Sequence, residues 1–227
     1  MDTKRTFFLT LPCLAFIGLV IAFALIFIYA PEERAQGLVQ KIFYFHVSSA
    51  FAMYAGFLMS GIFGAVFLRN REQIFDILSH TGATVGLVFC TMVLISGPIW
   101  AKPTWGRWWT WDPRLTSTLL IWLIFFSSLL LRRFFGSDDR GKLFAAILAI
   151  FGVLDIPLII FAVKLWRGIH PNVLGKQGGM PSEMKLTWLV TALSVLILFS
   201  VISWVYARLL FAEDRTNALT DLLEERD

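Results

Sequence analysis

Six long apolar segments, separated by short polar stretches, organise this sequence. They cover residues 6–30, 42–68, 77–101, 115–131, 143–163 and 186–207. A helix rises 1.5 Å per residue and the hydrocarbon core of a bilayer is about 30 Å thick, so these lengths are those of membrane-spanning helices. The fourth segment is the shortest and reaches about 26 Å, enough for an untilted span. The pattern therefore predicts an all-α polytopic membrane protein, built as a bundle of six transmembrane helices.

The composition supports a membrane protein and narrows the range of partners. Of the 227 residues, 57% are hydrophobic and only 16% are charged. The net charge of +4 is spread along the chain without a basic block, which argues against a nucleic-acid partner. We predict one six-span membrane domain over residues 1–211, embedded in the lipid bilayer. A polar tail, residues 212–227, follows it and is expected to form a short cytoplasmic helix.

An even number of spans places both termini on the same side of the membrane. Lys and Arg residues are almost equally divided between the two sides, so the usual excess of positive charge inside gives only a weak signal. The compact clusters at Arg69–Arg71 and Arg132–Arg133 favour cytoplasmic termini. The loops after spans one, three and five are then expected outside.

The connection between spans three and four, Trp100–Thr116, has the most unusual composition in the chain. It contains five of the nine tryptophans: Trp100, Trp105, Trp108, Trp109 and Trp111. Pro103, Gly106 and Pro113 predict that no regular helix runs through it. An aromatic belt at the membrane interface explains one or two tryptophans at a helix end. Five in one connection favour a binding platform for a planar, apolar ligand.

Three cations are interleaved with these tryptophans: Lys102, Arg107 and Arg114. Flat aromatic side chains beside cations suit a planar ligand that carries negative charge, and haem, with its porphyrin plane and two propionates, matches this description. The sequence therefore favours haem as the ligand, with belt anchoring as a secondary role for some tryptophans.

Two of the three histidines fall on the same side as the tryptophans. His46 lies at the start of span two, and His170 follows span five, where Pro171 keeps it out of a helix. Imidazole is a common axial ligand of haem iron, so we interpret this pair as iron ligands rather than as two interfacial histidines. His80, at the other end of span three, is expected to be structural.

Two aspartates have competing interpretations. Asp112-Pro113 immediately before span four is the pattern of a helix N-cap followed by proline at the first helical position, and capping alone accounts for it. A role for Asp112 in orienting an arginine or a tryptophan N–H comes second. Asp155, inside span five, belongs either to a functional site or to a polar contact near Pro157. The sequence leaves this choice open.

The motifs together resemble a known family. The segment Trp105–Asp112 is similar to the tryptophan-rich "WWD" signature of haem-handling proteins. With Phe43–Val47 upstream and Trp166–His170 downstream, nearly the whole chain resembles CcmC, the haem exporter protein C family of the bacterial cytochrome c maturation system.

This resemblance implies a haem-binding protein without catalytic residues, located in the bacterial inner membrane with both termini in the cytoplasm. Its cargo would be haem b, delivered to a periplasmic haem chaperone, the E component of the system. The A and B components of an ABC transporter and a small one-span D component are the implied membrane partners. The implied iron ligands are His46 and His170. The implied haem contacts are Lys102, Trp105, Gly106, Arg107, Trp108, Trp109, Trp111, Asp112 and Arg114.

Two other functions are compatible with the apolar pattern. A cytochrome-b-type electron carrier needs pairs of histidines that face each other inside the bilayer, and only His80 lies at a different depth from His46 and His170. A membrane subunit of a small-solute transporter could use Asp155 and Pro157 as a site at the middle of the membrane.

Overall fold

Six long helices make up almost all of the described structure. The computed structural model describes residues 3–136, 138–166, 170 and 180–224. The helices are α1 Thr3–Ala24, α2 Ile42–Asn70, α3 Gln73–Trp105, α4 Pro113–Phe135, α5 Asp139–Trp166 and α6 Ser182–Glu224. A π-helical turn, Leu25–Tyr29, extends α1, and a 3-10 turn, Leu38–Lys41, leads into α2.

Each predicted segment corresponds to one of these helices. In the described part of the chain, six helices are long and apolar enough to cross a membrane. The prediction of an all-α polytopic membrane protein is therefore confirmed. The described part of the predicted tail, residues 212–224, is a direct continuation of α6.

Helix α3 is longer than the sequence pattern predicts. It continues through Pro98 and Pro103 to Trp105, so the expectation that Pro103 interrupts the helix is wrong. Proline has a helical φ angle and removes only one backbone donor, a loss that membrane helices tolerate. The Thr104 hydroxyl also donates to the carbonyl oxygen of Trp100 at 2.8 Å, next to the proline. The connection to α4 is thereby shortened to residues 106–112.

Close packing of α2 against α3 forms the centre of the bundle. A Cβ atom added to Gly82 would lie 2.6 Å from the carbonyl oxygen of Gly56, and one added to Gly56 would lie 2.6 Å from the Cα of Gly86. Small residues at such crossings let membrane helices approach closely. Phe57 of α2 also stacks on Phe125 of α4 with ring centroids 3.9 Å apart.

The two ends of the bundle differ in chemistry. At one end, Asp76 of α3 forms a buried ion pair with Arg132 at the end of α4, and His80 packs edge-on against Tyr206 of α6. At the opposite end lie the beginnings of α2, α4 and α6 and the ends of α3 and α5. This second end, called the tryptophan end below, carries His46, His170 and the connection between α3 and α4.

Candidate functional site

His46 lies in the second turn of α2 and is held from the α3 side. Its ring is 7% exposed, and its Nδ1 atom lies 2.9 Å from the Ser96 hydroxyl of α3. The indole of Trp100 packs edge-on against it, with ring centroids 5.7 Å apart. Two contacts from α3 therefore fix the orientation of this imidazole.

His170 follows α5 and reaches the same place from the other side of the bundle. Its Nδ1 atom lies 3.2 Å from Nη1 of Arg114 in α4, and its ring centroid is 6.3 Å from that of Trp105. The centroids of the His46 and His170 rings are 6.5 Å apart, with an angle of 30° between the ring planes. The structure therefore brings together the two histidines that the sequence selected.

The separation of the two rings fits a shared metal ion. A histidine nitrogen binds a transition metal at about 2 Å, so two imidazoles on opposite sides of one ion have centroids about 6 Å apart. The observed 6.5 Å between His46 and His170 is close to this value. The donor set also fits haem iron, for which histidine is a frequent axial ligand.

Arg114 is anchored to α5 near the end of that helix. Its Nε and Nη2 atoms donate to the carbonyl oxygens of Ile159 and Ile160, each at 3.1 Å. Its backbone N–H donates to Oδ1 of Asp112 at 2.9 Å, which caps the start of α4. Asp112 thus has the capping role that the sequence predicted. The cap and the two carbonyl groups hold the guanidinium against His170.

A cavity of about 530 Å³, including its open mouth, lies beside the two histidines. Its enclosed part is only about 80 Å³, well below the roughly 300–1,000 Å³ of pockets that enclose a small molecule, so a large ligand would extend out of it. Its lining is mostly apolar, with the His46, Tyr54, Arg114 and His170 side chains as the ionisable groups. The full lining is His46, Ala50, Met53, Tyr54, Val93, Leu94, Pro98, Trp109, Arg114, Leu115, Thr118, Ile159 and His170.

The tryptophans do not form one continuous wall. Trp109 lines the cavity and Trp105 contacts the His170 ring, so these two form an inner pair. Trp108 and Trp111 are 58% and 76% exposed and form an outer pair. Trp109 and Trp111 touch edge to face, with centroids 5.9 Å apart, which links the pairs. Trp100 is buried and donates to Gln36 at 2.8 Å, a structural contact.

Of the predicted cations, only Arg114 lines the cavity. Lys102 and Arg107 are exposed. The Lys102 ammonium donates to the carbonyl oxygen of Gly106 at 3.1 Å. Gly106 ends α3 with a φ angle of 76°, a left-handed conformation that glycine adopts without strain. Lys102 and Gly106 thus shape the turn that leads into the connection.

Sequence reasoning missed two residues beside the histidines. Ser96 contacts His46 directly, and Tyr54 of α2 lines the cavity. The signal for Ser96 was present in the Ser96–Pro98 segment, because small residues in a helix allow a neighbouring ring to approach. A Cβ atom added to Gly97 would lie 3.3 Å from the His46 ring. Tyr54 has no comparable sequence signal.

Asp155 lies in α5 and does not belong to the described cavity lining. Its side chain is 9% exposed, and its Oδ2 atom has no hydrogen-bond partner among the described residues. His80 also lies far from the site, next to the Asp76–Arg132 pair. Neither Asp155 nor His80 therefore lies opposite His46 or His170.

Comparison with known proteins gives one consistent family. The model of the family described as heme exporter protein C, CcmC, matches residues 1–221. A putative cytochrome c biosynthesis ccmC-like mitochondrial protein of Marchantia polymorpha is 33% identical over 150 residues, which is 66% of this chain and 63% of that protein. The heme exporter protein C of Bradyrhizobium diazoefficiens is 31% identical over 175 residues, 76% of this chain and 65% of that protein.

The Escherichia coli K12 relative, also named heme exporter protein C, is 27% identical over 203 residues. That match covers 87% of this chain and 82% of the relative. The matched stretch thus spans just under two thirds of the first two relatives and a larger share of the third.

Proposed function

Because this chain belongs to the heme exporter protein C family, we propose that it binds haem b at the periplasmic face of the bacterial inner membrane. It then delivers the haem to a periplasmic haem chaperone for cytochrome c maturation. The observation that carries this proposal is the His46–His170 pair, 6.5 Å apart in the lining of a largely apolar cavity. The family description names an exporter and not an enzyme, in agreement with the absence of a predicted catalytic role.

Different residues of the site would contact different parts of a haem. His46 and His170 would ligate the iron, while Trp105 and Trp109 would contact the porphyrin. Arg114 contacts His170 at 3.2 Å and would pair with a propionate. The bound iron porphyrin is cargo, so the protein has only to bind, orient and release it.

The outer part of the connection would meet the portion of the haem that projects from the bundle. Trp108 and Trp111 expose most of their surface, and Lys102 and Arg107 are exposed beside them. Large exposed aromatic side chains of this kind mark contact surfaces. The predicted partners are the chaperone outside the membrane, the A and B components of an ABC transporter, and the one-span D component.

The two competing functions have less support in the geometry. A cytochrome-b-type carrier requires pairs of histidines that face each other inside the bilayer, and His80, the histidine at a different depth, packs against Tyr206 at the far end of the bundle. A solute site at the middle of the membrane would use Asp155, and Asp155 is not part of the cavity that the two histidines line.

The absorbance spectrum of the purified protein tests the proposal. Haem-replete cells should yield protein with the spectrum of a six-coordinate haem that has two histidine ligands. His46→Ala or His170→Ala should open an axial position, and added imidazole should restore the original spectrum by occupying it. His80→Ala is the matched control, because this ring lies at the opposite end. Wild-type spectra in both site variants would refute the axial assignment.

A further inference from the structure

The hydrogen bond between His46 and Ser96 determines which nitrogen of His46 carries the hydrogen. The Ser96 hydroxyl lies 2.6 Å from the carbonyl oxygen of Met92 and donates its single hydrogen there. Its oxygen, 2.9 Å from His46 Nδ1, is therefore left to accept. His46 must carry its hydrogen on Nδ1. The lone pair then lies on Nε2, as in a histidine that is ready to bind a metal.

The hydrogen bond between His170 and Arg114 requires the opposite arrangement. A guanidinium group has donors only, so Nδ1 of His170 must accept from Nη1 of Arg114 at 3.2 Å. A neutral His170 then carries its hydrogen on Nε2, and that nitrogen has no lone pair for a metal. The two histidines of the site are thus in different tautomers.

Arg114 is also held in place while it makes this contact. Its other donors reach the carbonyl oxygens of Ile159 and Ile160 on α5, each at 3.1 Å. In the described part of the chain, Nη1 is the guanidinium atom that contacts His170. A change in the partner of Nη1 can therefore break this contact without moving the arginine away from α5.

We propose that Arg114 holds His170 in the tautomer that cannot bind iron, a contact called the latch below. A carboxylate of the incoming porphyrin ends this contact by accepting the Arg114 hydrogen bond instead. This inference rests on the proposed function and extends it. Ser96 presets His46 as the first ligand. A propionate then takes the Nη1 donor of Arg114, because a charge-assisted hydrogen bond to a carboxylate is stronger than one to a neutral imidazole.

Release changes the tautomer of His170 without a net change in protons. His170 gives up the hydrogen on Nε2 to water and takes one from water at Nδ1, which no longer accepts from Arg114. Its Nε2 lone pair can then form the second axial bond. Complete ligation therefore depends on the carboxylates of the porphyrin, which makes Arg114 a positioning residue that selects the cargo.

The tautomers can be measured in the haem-free protein. The chain has three histidines, so ¹⁵N-histidine labelling gives a simple spectrum in which protonated and unprotonated ring nitrogens are well separated. His46→Gln and His170→Gln assign the signals. We expect hydrogen on Nδ1 of His46 and on Nε2 of His170. Hydrogen on Nδ1 of His170, or on Nε2 of His46, would overturn the inference.

Variants test the Arg114–His170 contact and the Ser96–His46 contact separately. Arg114→Met should let His170 populate both tautomers while the tautomer of His46 is unchanged. Ser96→Ala should let His46 populate both tautomers while the tautomer of His170 is unchanged. Arg133→Met is the matched control, because it removes an exposed cation from the far end of the same helix. An unchanged His170 signal in Arg114→Met protein would contradict the latch. The wild-type spectrum remains decisive if a variant fails to fold.

The carboxylate step is tested by comparing haemin with its dimethyl ester, which lacks free carboxylates. Haemin should give the low-spin spectrum of two axial histidines. The ester should bind roughly tenfold more weakly, as expected for loss of one charged hydrogen bond, and should show one histidine ligand. In Arg114→Met protein the two porphyrins should behave alike.

Low-spin spectra with both porphyrins in the wild-type protein would refute the carboxylate step. If neither porphyrin bound, the proposed function and the carboxylate step would both fail. The nitrogen spectrum of the haem-free protein would still decide whether Arg114 and Ser96 set the two tautomers.

Discussion

Individual tryptophans of the connection differ in what they touch, and this difference has consequences for binding. Trp109 lines the cavity next to the histidines, whereas Trp111 is 76% exposed. A buried aromatic contact contributes about 0.5–1.5 kcal/mol beyond the area that it removes from water. The inner pair should therefore contribute more to haem retention than the outer pair.

We predict that Trp109→Ala lowers the haem content of the purified protein more than Trp111→Ala does. The spectrum of the remaining haem should be unchanged in both variants, because neither tryptophan binds the iron. The measurement is the ratio of haem absorbance to protein. Equal losses in the two variants would show that the outer pair contributes as much of the contact as the inner pair.

The sequence identified these residues but could not divide them into inner and outer pairs. The division depends on how α3 and α4 are rotated against α2 and α5, which short-range sequence pattern does not encode. Ser96 is the clearest case. Its importance comes from a contact with His46 in another helix, and a serine in an apolar segment by itself indicates only a hydrogen bond within the helix.

At the scale of helices, two polar contacts fix how α4 begins and ends. Asp112 caps its first turn, and Arg132 near its end pairs with Asp76 of α3 through two bonds of 2.6 and 3.0 Å. The side chains of this ion pair are only 11% and 6% exposed. Leaving one buried partner without its counter-ion costs about 3–5 kcal/mol, far more than the loss of an exposed pair.

Asp76→Asn should therefore strongly lower the thermal stability of the protein in detergent. Asp139→Asn is a matched control at the same end of the bundle, because Asp139 is 82% exposed in its pair with Lys142. An exposed pair contributes at most about 1 kcal/mol, so the control should melt close to the wild type. A small shift for Asp76→Asn would mean that water reaches Arg132.

The cap of α4 gives a smaller and more local prediction. Asp112→Ala removes the acceptor for the Arg114 backbone N–H, which should cost about 1 kcal/mol of folding free energy. Asp112→Ser should restore most of it, because serine is also a good N-cap. Thermal unfolding of the three proteins measures both effects. Equal stabilities would show that Pro113 alone sets the start of the helix.

Helix positions were well predicted because apolar length is a local property of the sequence. The end of α3 was predicted wrongly, because Pro103 was taken as a helix breaker and the effect of a proline depends on its surroundings. Pro103 removes one backbone donor, and the turns on either side of it keep the helix regular to Trp105.

At the scale of the whole molecule, the His46–His170 site and the Asp76–Arg132 ion pair lie at opposite ends of a bundle of six helices, each long and apolar enough to cross a membrane. The sequence predicted which end each histidine occupies, because that follows from counting spans. It could not predict that the rings of His46 and His170 approach to 6.5 Å, since this depends on how α2 and α5 pack.

The orientation of the bundle in the membrane decides whether the proposed delivery is possible, because a periplasmic chaperone can reach only a site that faces the periplasm. The balance of Lys and Arg is nearly even, and only the Arg69–Arg71 and Arg132–Arg133 clusters favour cytoplasmic termini. We predict that a periplasm-dependent reporter is active when inserted at Arg107 and inactive when fused after Glu224. A cytoplasm-dependent reporter should give the opposite pattern. Activity of the same reporter at both positions would mean that one of the helices between them does not cross the membrane. Exchange of the two reporters' activities would place the haem site on the cytoplasmic side, which contradicts the proposed delivery to a periplasmic chaperone.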